Sequence, residues 1–288
     1  MKVLLIGATG QIGSALSARV PPNWEIVAPS RRELDLMDLD LIRDAIAEVR
    51  PAWVINAAAY TNVELAERER HICTLVNAKA PAVMAEAVAK LGGKLLQIST
   101  DYVFDGFGAA TIDRHSPANP LCHYGQTKLE AEHALRSEDV ILRTSWVYSE
   151  RKGNFVTTML DRMRNGAELR VVSDQTGAPT YAESVAMALV RLVESDASGK
   201  HHYTDMGRAT WHEFASEIAN IALEIGLLSE APAIKPVSAE EFGSIAPRPP
   251  FSVLNCADTY SKIELEPPKW RENLRRCLMA IRAAQLRV

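Results

Sequence analysis

The sequence predicts an α/β fold, a doubly wound parallel sheet with a smaller C-terminal lobe, from three observations. An apolar run, Val3 to Ile6, opens into Gly7-Ala8-Thr9-Gly10-Gln11-Ile12-Gly13 and then into a helical pattern. Short apolar runs alternate with helical stretches up to about residue 150, as in parallel sheets whose right-handed crossovers carry helices on both faces. The polar motifs follow the strands, at the sheet edge where such folds bind ligands.

In chain order, the first strand and its glycines read as a strand, tight turn and helix. The spacing G-x-x-G-x-x-G is a variant of the dinucleotide fingerprint, with glycines for the turn, for close backbone approach and for helix packing. Gly7, Gly10, Gln11, Ile12 and Gly13 are therefore expected to hold a pyrophosphate. A second strand, Trp24 to Ala28, ends at Pro29-Ser30-Arg31-Arg32. An acid at that strand end favours NADH and an arginine accommodates a 2′-phosphate, so Arg31 points to NADPH, with NADH as the alternative that Glu33 would favour. Asp35-Leu36 precede an Asp38-led helix through Val49, with acids in its first turns. The strand Trp53 to Ile55 runs into Asn56-Ala57-Ala58-Ala59-Tyr60-Thr61, small residues that leave room for a flat ligand against the backbone.

A helix from His71 to Leu91 ends at Gly92-Gly93, and a strand from Lys94 to Ile98 delivers Ser99-Thr100-Asp101. Residues 104–120 read as a loop over the active edge, 124–137 as a helix, and Val140 to Leu142 as a strand leading to Arg143-Thr144-Ser145-Trp146-Val147-Tyr148. Beyond residue 150 the pattern predicts helices at Asn154 to Arg164, Glu183 to Val193 and Trp211 to Ile225, a strand at Leu169 to Val172, and a Pro-rich segment at 229–255. Residues 1–150 are assigned to dinucleotide binding, and 151–288 to a lobe that closes over a substrate and is interleaved with the last strands of the sheet.

Tyr124 and Lys128 stand at i and i+4 of the predicted helix and so share a face. An ammonium roughly 5 Å from a phenol, at an effective dielectric of about 20, contributes on the order of 3 kcal/mol and draws a pKa of about 10 toward working pH. Tyr124 is thus expected to be a general acid tuned by Lys128, with the Thr100 hydroxyl orienting a substrate oxygen. The alternative is a Tyr packed at a helix edge beside a solvated Lys.

Composition narrows the class. A net charge of -4 over 288 residues, 47% hydrophobic and 24% charged, gives no basic footprint for nucleic acid, and no apolar run looks long enough to span a bilayer. Cys73, Cys122, Cys256 and Cys277 have neither C-x-x-C pairing nor metal-ligand spacing, which favours reduced thiols in a cytoplasm.

Gly7/Gly10/Gly13, the Asn56 to Ala59 strand end, Ser99-Thr100-Asp101-Tyr102-Val103-Phe104 and Tyr124-x-x-x-Lys128, in that order, resemble the extended short-chain dehydrogenases/reductases. With Thr61-x-Val63, Asn119-Pro120-Leu121, Arg143 to Tyr148, Asp174-Gln175-x-Gly177-Ala178-Pro179-Thr180 and Arg248-Pro249, the chain resembles the dTDP-4-dehydrorhamnose reductase family over residues 1 to about 278. The resemblance implies a Rossmann domain and NADPH-dependent reduction of a nucleotide 4-keto-6-deoxysugar, with Thr100, Tyr124 and Lys128 as the catalytic triad. It implies that Asp35 and Leu36 lie near the adenine, that Ala58, Ala59, Tyr60 and Ile98 run beside the cofactor, and that Trp146 and Asp101 lie by the sugar. Thr61, Val63 and Arg248 would lie near the nucleotide part. Trp146 as core filler and Arg248 as a solvated loop residue are the alternatives. No metal is expected, because Ala15 stands where some members place a glutamate at a metal-linked dimer interface; a homodimer of another kind is left open. Two other readings compete. A 4,6-dehydratase would carry an acid pair after Thr100, where this chain has Asp101-Tyr102. A regulatory subunit like that of methionine adenosyltransferase would bind NADP without turnover.

Overall fold

The computed structural model of the chain describes residues 1–108 and 111–286. Residues 109–110 of the predicted loop and 287–288 at the end of the predicted lobe lie outside the described residues. Five strands, β1 (Lys2–Ile6), β2 (Glu25–Val27), β3 (Trp53–Asn56), β4 (Lys94–Thr100) and β5 (Val140–Thr144), join a sixth, Gly199–His202, in one sheet. The order is Gly199–His202, β5, β4, β3, β1, β2, and every pairing is parallel. The chain reverses its direction of travel across the sheet at β1, so a crevice opens beyond the carboxyl ends of β1 and β3, where a doubly wound sheet receives ligands.

The strand alternation explains the layers. Val3 and Leu5 face one side with Leu16, Ile55 and Leu189, while Leu4 and Ile6 face the other with Ile42, Ile46, Val54 and Met84. A strand buried on both faces reads as a continuous apolar run. Each fully buried aliphatic side chain stabilises the fold by about 1.5–3 kcal/mol. On the first face the helix Gln11–Ser17 packs against the helix Ala182–Glu194, and on the second Leu39–Val49 packs against Ala80–Ala89. The Asp38 carboxylate caps Leu39–Val49 by accepting from the amides of Asp40 and Leu41 at 3.1 and 3.0 Å.

Several predicted bounds move. The helix expected at 124–137 runs His123–Ala134, because Leu135 turns extended. The strand β4 continues through Ser99 and Thr100. A later strand joins the sheet as expected, but its place at Gly199–His202 and the long C-terminal helix Trp270–Gln285 carry no signal in the sequence; Gly199-Lys200-His201-His202 is polar, and its two buried histidines carry no hydropathy pattern. The continuous helix Arg70–Ala89 is by length and composition apolar enough to cross a membrane, contrary to the sequence expectation, yet half of its most apolar window is buried. Cys73, Ala80, Met84 and Val88 lie wholly inside the protein, as in a core helix. Within it, Leu75–Lys79 forms a π turn.

Beyond the sheet, Phe155–Arg164, Trp211–Glu224 and Trp270–Gln285 enclose a separate apolar cluster that includes Val156, Leu160, Phe214, Ile218, Leu274 and Leu278. Asp205 joins the two regions: its Oδ2 accepts from the Tyr181 amide at 3.0 Å and from Asn273 Nδ2 at 2.7 Å. Burial pushes this carboxyl up to about 6, opposed by hydrogen bonds from Asn273, Tyr181 and Ser184. All four cysteines are free and buried.

Two outcomes are expected. A Cβ at Gly13 would lie 2.1 Å from the Gly7 carbonyl oxygen, so Gly13→Ala should lower the unfolding free energy by about 1–3 kcal/mol; denaturant titration with unchanged midpoint and slope would contradict the contact. The folded protein keeps the Asp205 proton between pH 3.8 and about 6 whereas the unfolded chain releases it, so this group's contribution falls as pH rises through that window. Relative to the wild type, Asp205→Asn should therefore gain stability from pH 4 to pH 7, by about 2–3 kcal/mol, measured as urea unfolding at each pH.

Candidate active site

A cleft of about 920 Å³ opens at the carboxyl ends of β1, β3, β4 and β5 and is closed on its far side by residues of the second half, among them Trp146, Gly153 and Trp211. Its floor begins with the glycines. Gly7 has φ +83°, and a Cβ there would meet the Ala58 nitrogen at 2.6 Å and the Ala57 carbonyl carbon at 2.7 Å. Gly10 donates its amide to the Gly7 carbonyl at 3.0 Å, closing the turn that starts the helix Gln11–Ser17. Gly7, Gly10, Gln11 and Ile12 line the cleft; Gly13 does not, and acts beneath it by letting the helix touch the turn. The result is a close backbone turn at Gly7 and Gly10 that fits a dinucleotide pyrophosphate.

At the next strand ends, Arg31, Asp35 and Leu36 border the cleft. The exposed Glu33 turns back on its own loop, its Oε2 accepting from the Ser30 amide at 2.7 Å, and this bond holds its carboxyl below the usual range. At the end of β3, Asn56 Nδ2 donates to Gln97 Oε1 at 2.8 Å and its Oδ1 accepts from the Ala58 amide at 3.1 Å, fixing the small-residue turn. Ala58, Ala59, Tyr60, Thr61 and Val63 follow along the cleft wall. The Tyr60 phenol donates to Glu69 at 2.7 Å and is pushed up to about 12 by that bond.

The strand β4 brings Ile98, Thr100 and Asp101 to the cleft, and the helix His123–Ala134 brings Tyr124 and Lys128. Thr100 Oγ1 donates to Asp101 Oδ1 at 3.0 Å and accepts from the Tyr102 amide at 3.2 Å. Asp101 is buried, and burial pushes its carboxyl up to about 6 against hydrogen bonds from Ser252 and Thr100. Lys128 is 3% exposed and donates from Nζ to the Ile98 carbonyl at 2.6 Å. Burial lowers its pKa to about 8, with Glu132 and Cys73 opposing. Glu132 in turn is paired with the buried Arg143, and its Oε1 also accepts from Ser99 Oγ at 2.6 Å.

One expectation is corrected. Lys128 does not draw the phenol down: desolvation pushes Tyr124 well above its ordinary value, the Thr100 hydroxyl pulls the other way, and Asp101, Tyr102 and Cys122 add to the rise. The desolvation of a partly buried phenolate at the cleft wall outweighs the neighbouring cation, whose Nζ is engaged by a backbone carbonyl. Tyr124 is therefore firmly protonated at neutral pH, the form a proton donor needs. The ring of Tyr102 meets it edge to face, centroids 5.7 Å apart.

Arg248 does not line the cleft. It donates from an Nη to Glu64 Oε1 at 2.9 Å, in the short helix Val63–Ala66, and Glu64 Oε2 accepts from the amides of Ile245 and Ala246 at 2.8 and 3.3 Å. The Pro-rich segment is thereby latched beside Val63, and the Arg248 Nε is buried without a partner. Trp146 reaches the cleft with φ +47°, a backbone state that costs a bulky residue about 1–3 kcal/mol. The Thr144 hydroxyl, also on the cleft, is buried and has no partner in the protein.

Sequence reasoning missed three residues. Asn77, in the π turn, clasps Tyr60 by accepting from its amide at 2.8 Å and donating to its carbonyl at 3.0 Å, and also donates to Thr127 Oγ1 at 3.3 Å. Its polarity inside the run Ile72 to Met84 was the available signal. Trp211 and Glu64 carried none, because each acts across a distance that only the fold supplies. Among the described residues no group of three or more His, Cys, Asp or Glu could hold a metal ion, and Glu183 is paired with Arg19.

Comparison with known proteins fits this geometry. The RmlD substrate binding domain family matches residues 1–283. The chain is 33% identical over 285 residues to a dTDP-4-dehydrorhamnose reductase of Aggregatibacter actinomycetemcomitans, covering 95% of this chain and 97% of that one. It is 36% identical over 282 residues to the spore coat polysaccharide biosynthesis protein SpsK of Bacillus subtilis, covering 96% of each. The crystal structure of dTDP-4-dehydrorhamnose reductase from Bacillus anthracis in complex with NADP superposes with a TM-score of 0.90 at 32% identity, covering 97% of this chain and 99% of that one. The chain belongs to the RmlD substrate binding domain family, among relatives that are dTDP-4-dehydrorhamnose reductases.

Proposed function

We propose that this protein is an NADPH-dependent reductase that converts the C4 keto group of dTDP-4-dehydro-6-deoxy-L-mannose to the alcohol, yielding dTDP-L-rhamnose. The observation that carries the reading is the convergence of Thr100, Tyr124 and Lys128 on one cleft whose floor is the glycine cradle. The names of the relatives support the substrate, and NADP in the Bacillus anthracis enzyme supports the cofactor. SpsK supports a destination in surface polysaccharide.

When bound, NADPH supplies the hydride that the carbonyl carbon accepts. Tyr124, kept protonated by desolvation, donates its proton to the carbonyl oxygen as charge develops there. Thr100 orients that oxygen and Lys128 offsets its negative charge. The glycine turn and Arg31 hold the dinucleotide. Thr61, Val63 and Trp146 border the nucleotide sugar, and Arg248 lies behind them in the Glu64 latch, where its planar donor fork suits a diphosphate. Asp101 keeps Thr100 in place by accepting from its hydroxyl. In this reading residues 1–150 hold the cofactor and, with Thr61, Val63, Thr100 and Trp146, one side of the sugar site, and the later segment closes over it.

Tyr124→Phe should bind NADPH as the wild type does and lose kcat by about 10²–10⁴-fold; calorimetry and stopped-flow oxidation of NADPH by the 4-keto sugar nucleotide test this, and unchanged turnover would remove Tyr124 as the donor. Lys128 loses its charge as pH rises through about 8, so kcat/KM should fall on the alkaline side near that value, read from a pH–rate profile.

A further inference from the structure

Among the described residues, four other than glycine have left-handed backbone: Arg50, Trp146, Asp196 and Glu264. Arg50, Asp196 and Glu264 stand at or just past the carboxyl ends of the helices Leu39–Val49, Ala182–Glu194 and Ala257–Lys262, where this conformation is ordinary. Trp146 follows the strand β5, ends no helix, and is the bulkiest of the four. Such a conformation persists only where the surroundings over-determine it.

The surroundings of Trp146 do so. Its indole stacks on that of Trp211 with centroids 3.5 Å apart and planes 6° from parallel. Phe155 packs against Trp211 at 4.7 Å. A Cβ at Gly177 would lie 2.3 Å from Trp146 Cε2, so the ring occupies the space that any other residue at 177 would fill. Trp211 and Gly177 are brought together by one short ladder, in which Ala209 and Thr210 pair antiparallel with Gly177 and Thr176. The helix that begins at Trp211 is fixed by a capping box, Thr210 Oγ1 accepting from the Glu213 amide at 3.1 Å and Glu213 Oε2 from the Thr210 amide at 2.7 Å. Both indoles border the same cleft as Thr100 and Tyr124.

We propose that Trp211 and Gly177 are positioning residues that seat the Trp146 indole as a rigid wall of the cleft, and that this wall sets the affinity for the deoxyhexose ring of the nucleotide-sugar substrate. The inference rests on the function proposed above. A preformed apolar wall contacts the C–H groups of a deoxysugar without ordering a loose aromatic side chain on binding, which would weaken binding. Trp211 and Gly177 are not part of the glycine turn, but the Val147 carbonyl next to Trp146 accepts from Gln11 Nε2 at 3.4 Å, so NADPH affinity is the readout that separates a sugar wall from a general support of the cleft.

The test uses the full chain with Trp211→Phe and Gly177→Ala. Among the described residues no other pair of tryptophans stacks, so the wild type should give an exciton couplet in circular dichroism. Gly177→Ala, which keeps both indoles but displaces Trp146, should lose it. In both variants KM for the 4-keto-6-deoxy sugar nucleotide should rise about tenfold, with a smaller change in kcat and NADPH affinity altered by less than about twofold. A wild type without a couplet overturns the inference, as does a Trp211→Phe or Gly177→Ala protein that loses the couplet but turns over the sugar with wild-type KM. So does an equal loss of sugar and NADPH affinity, which would mark a merely structural role. Absence of NADPH oxidation by the wild type with every 4-keto sugar nucleotide is the distinct result that sinks the function itself.

Discussion

The structure depends on an approach of backbone to backbone that only glycine permits. Gly7 turns the chain out of β1 against Ala57 and Ala58, and Gly13 lets the first helix rest on that turn, with no room for a Cβ at either place. Every other feature of the cleft takes its position from this contact. It sets the helix against β1, leaves the crevice beside β3 open, and exposes peptide groups rather than side chains to whatever binds there. The polar ends of β3 and β4 are then fixed by hydrogen bonds, Asn56 to Gln97 and Thr100 to Asp101, so that the reactive edge is braced from below.

Burial governs the chemistry of this edge more than proximity does. Reasoning from two residues at i and i+4 correctly places a phenol and an ammonium on one cleft but misjudges which force dominates. Desolvation by the surrounding protein holds the proton on Tyr124 and loosens the one on Lys128. The cation is further committed to the Ile98 carbonyl and balanced by Glu132, itself tied to Arg143. A donor that stays protonated until charge develops on its substrate is compatible with reduction.

What was legible in the sequence was what leaves a local pattern. The strands β1, β3, β4 and β5 announced themselves as apolar runs because both their faces are covered, and the glycine spacing named the turn. Asp38 could be read as a helix cap from its position alone. The strand Gly199–His202 could not, since its histidines are buried by neighbours distant in sequence, and Arg248 was expected on the cleft because nothing local reveals that Glu64 holds it. Trp211 likewise matters through a contact with Trp146 that only the fold supplies, while Asn77, whose partner Thr127 lies fifty residues on, left only its polarity in an apolar run as a sign. Even the apolar length of Arg70–Ala89, which could pass for a bilayer span, becomes intelligible only once the sheet is seen to cover it.

The π turn at Leu75–Lys79 is a widened coil inside an otherwise regular rod. Excising a single residue there would let the rod close to normal pitch with the flanking turns near their present orientation, while the side chains within the widened coil change direction. Asn77 could then no longer hold both the Tyr60 peptide and the Thr127 hydroxyl. The irregularity thus works as a mechanical register mark, joining the cofactor side of the groove to the helix that bears the proton donor, and a chain without it could keep its outline while losing the alignment between the two.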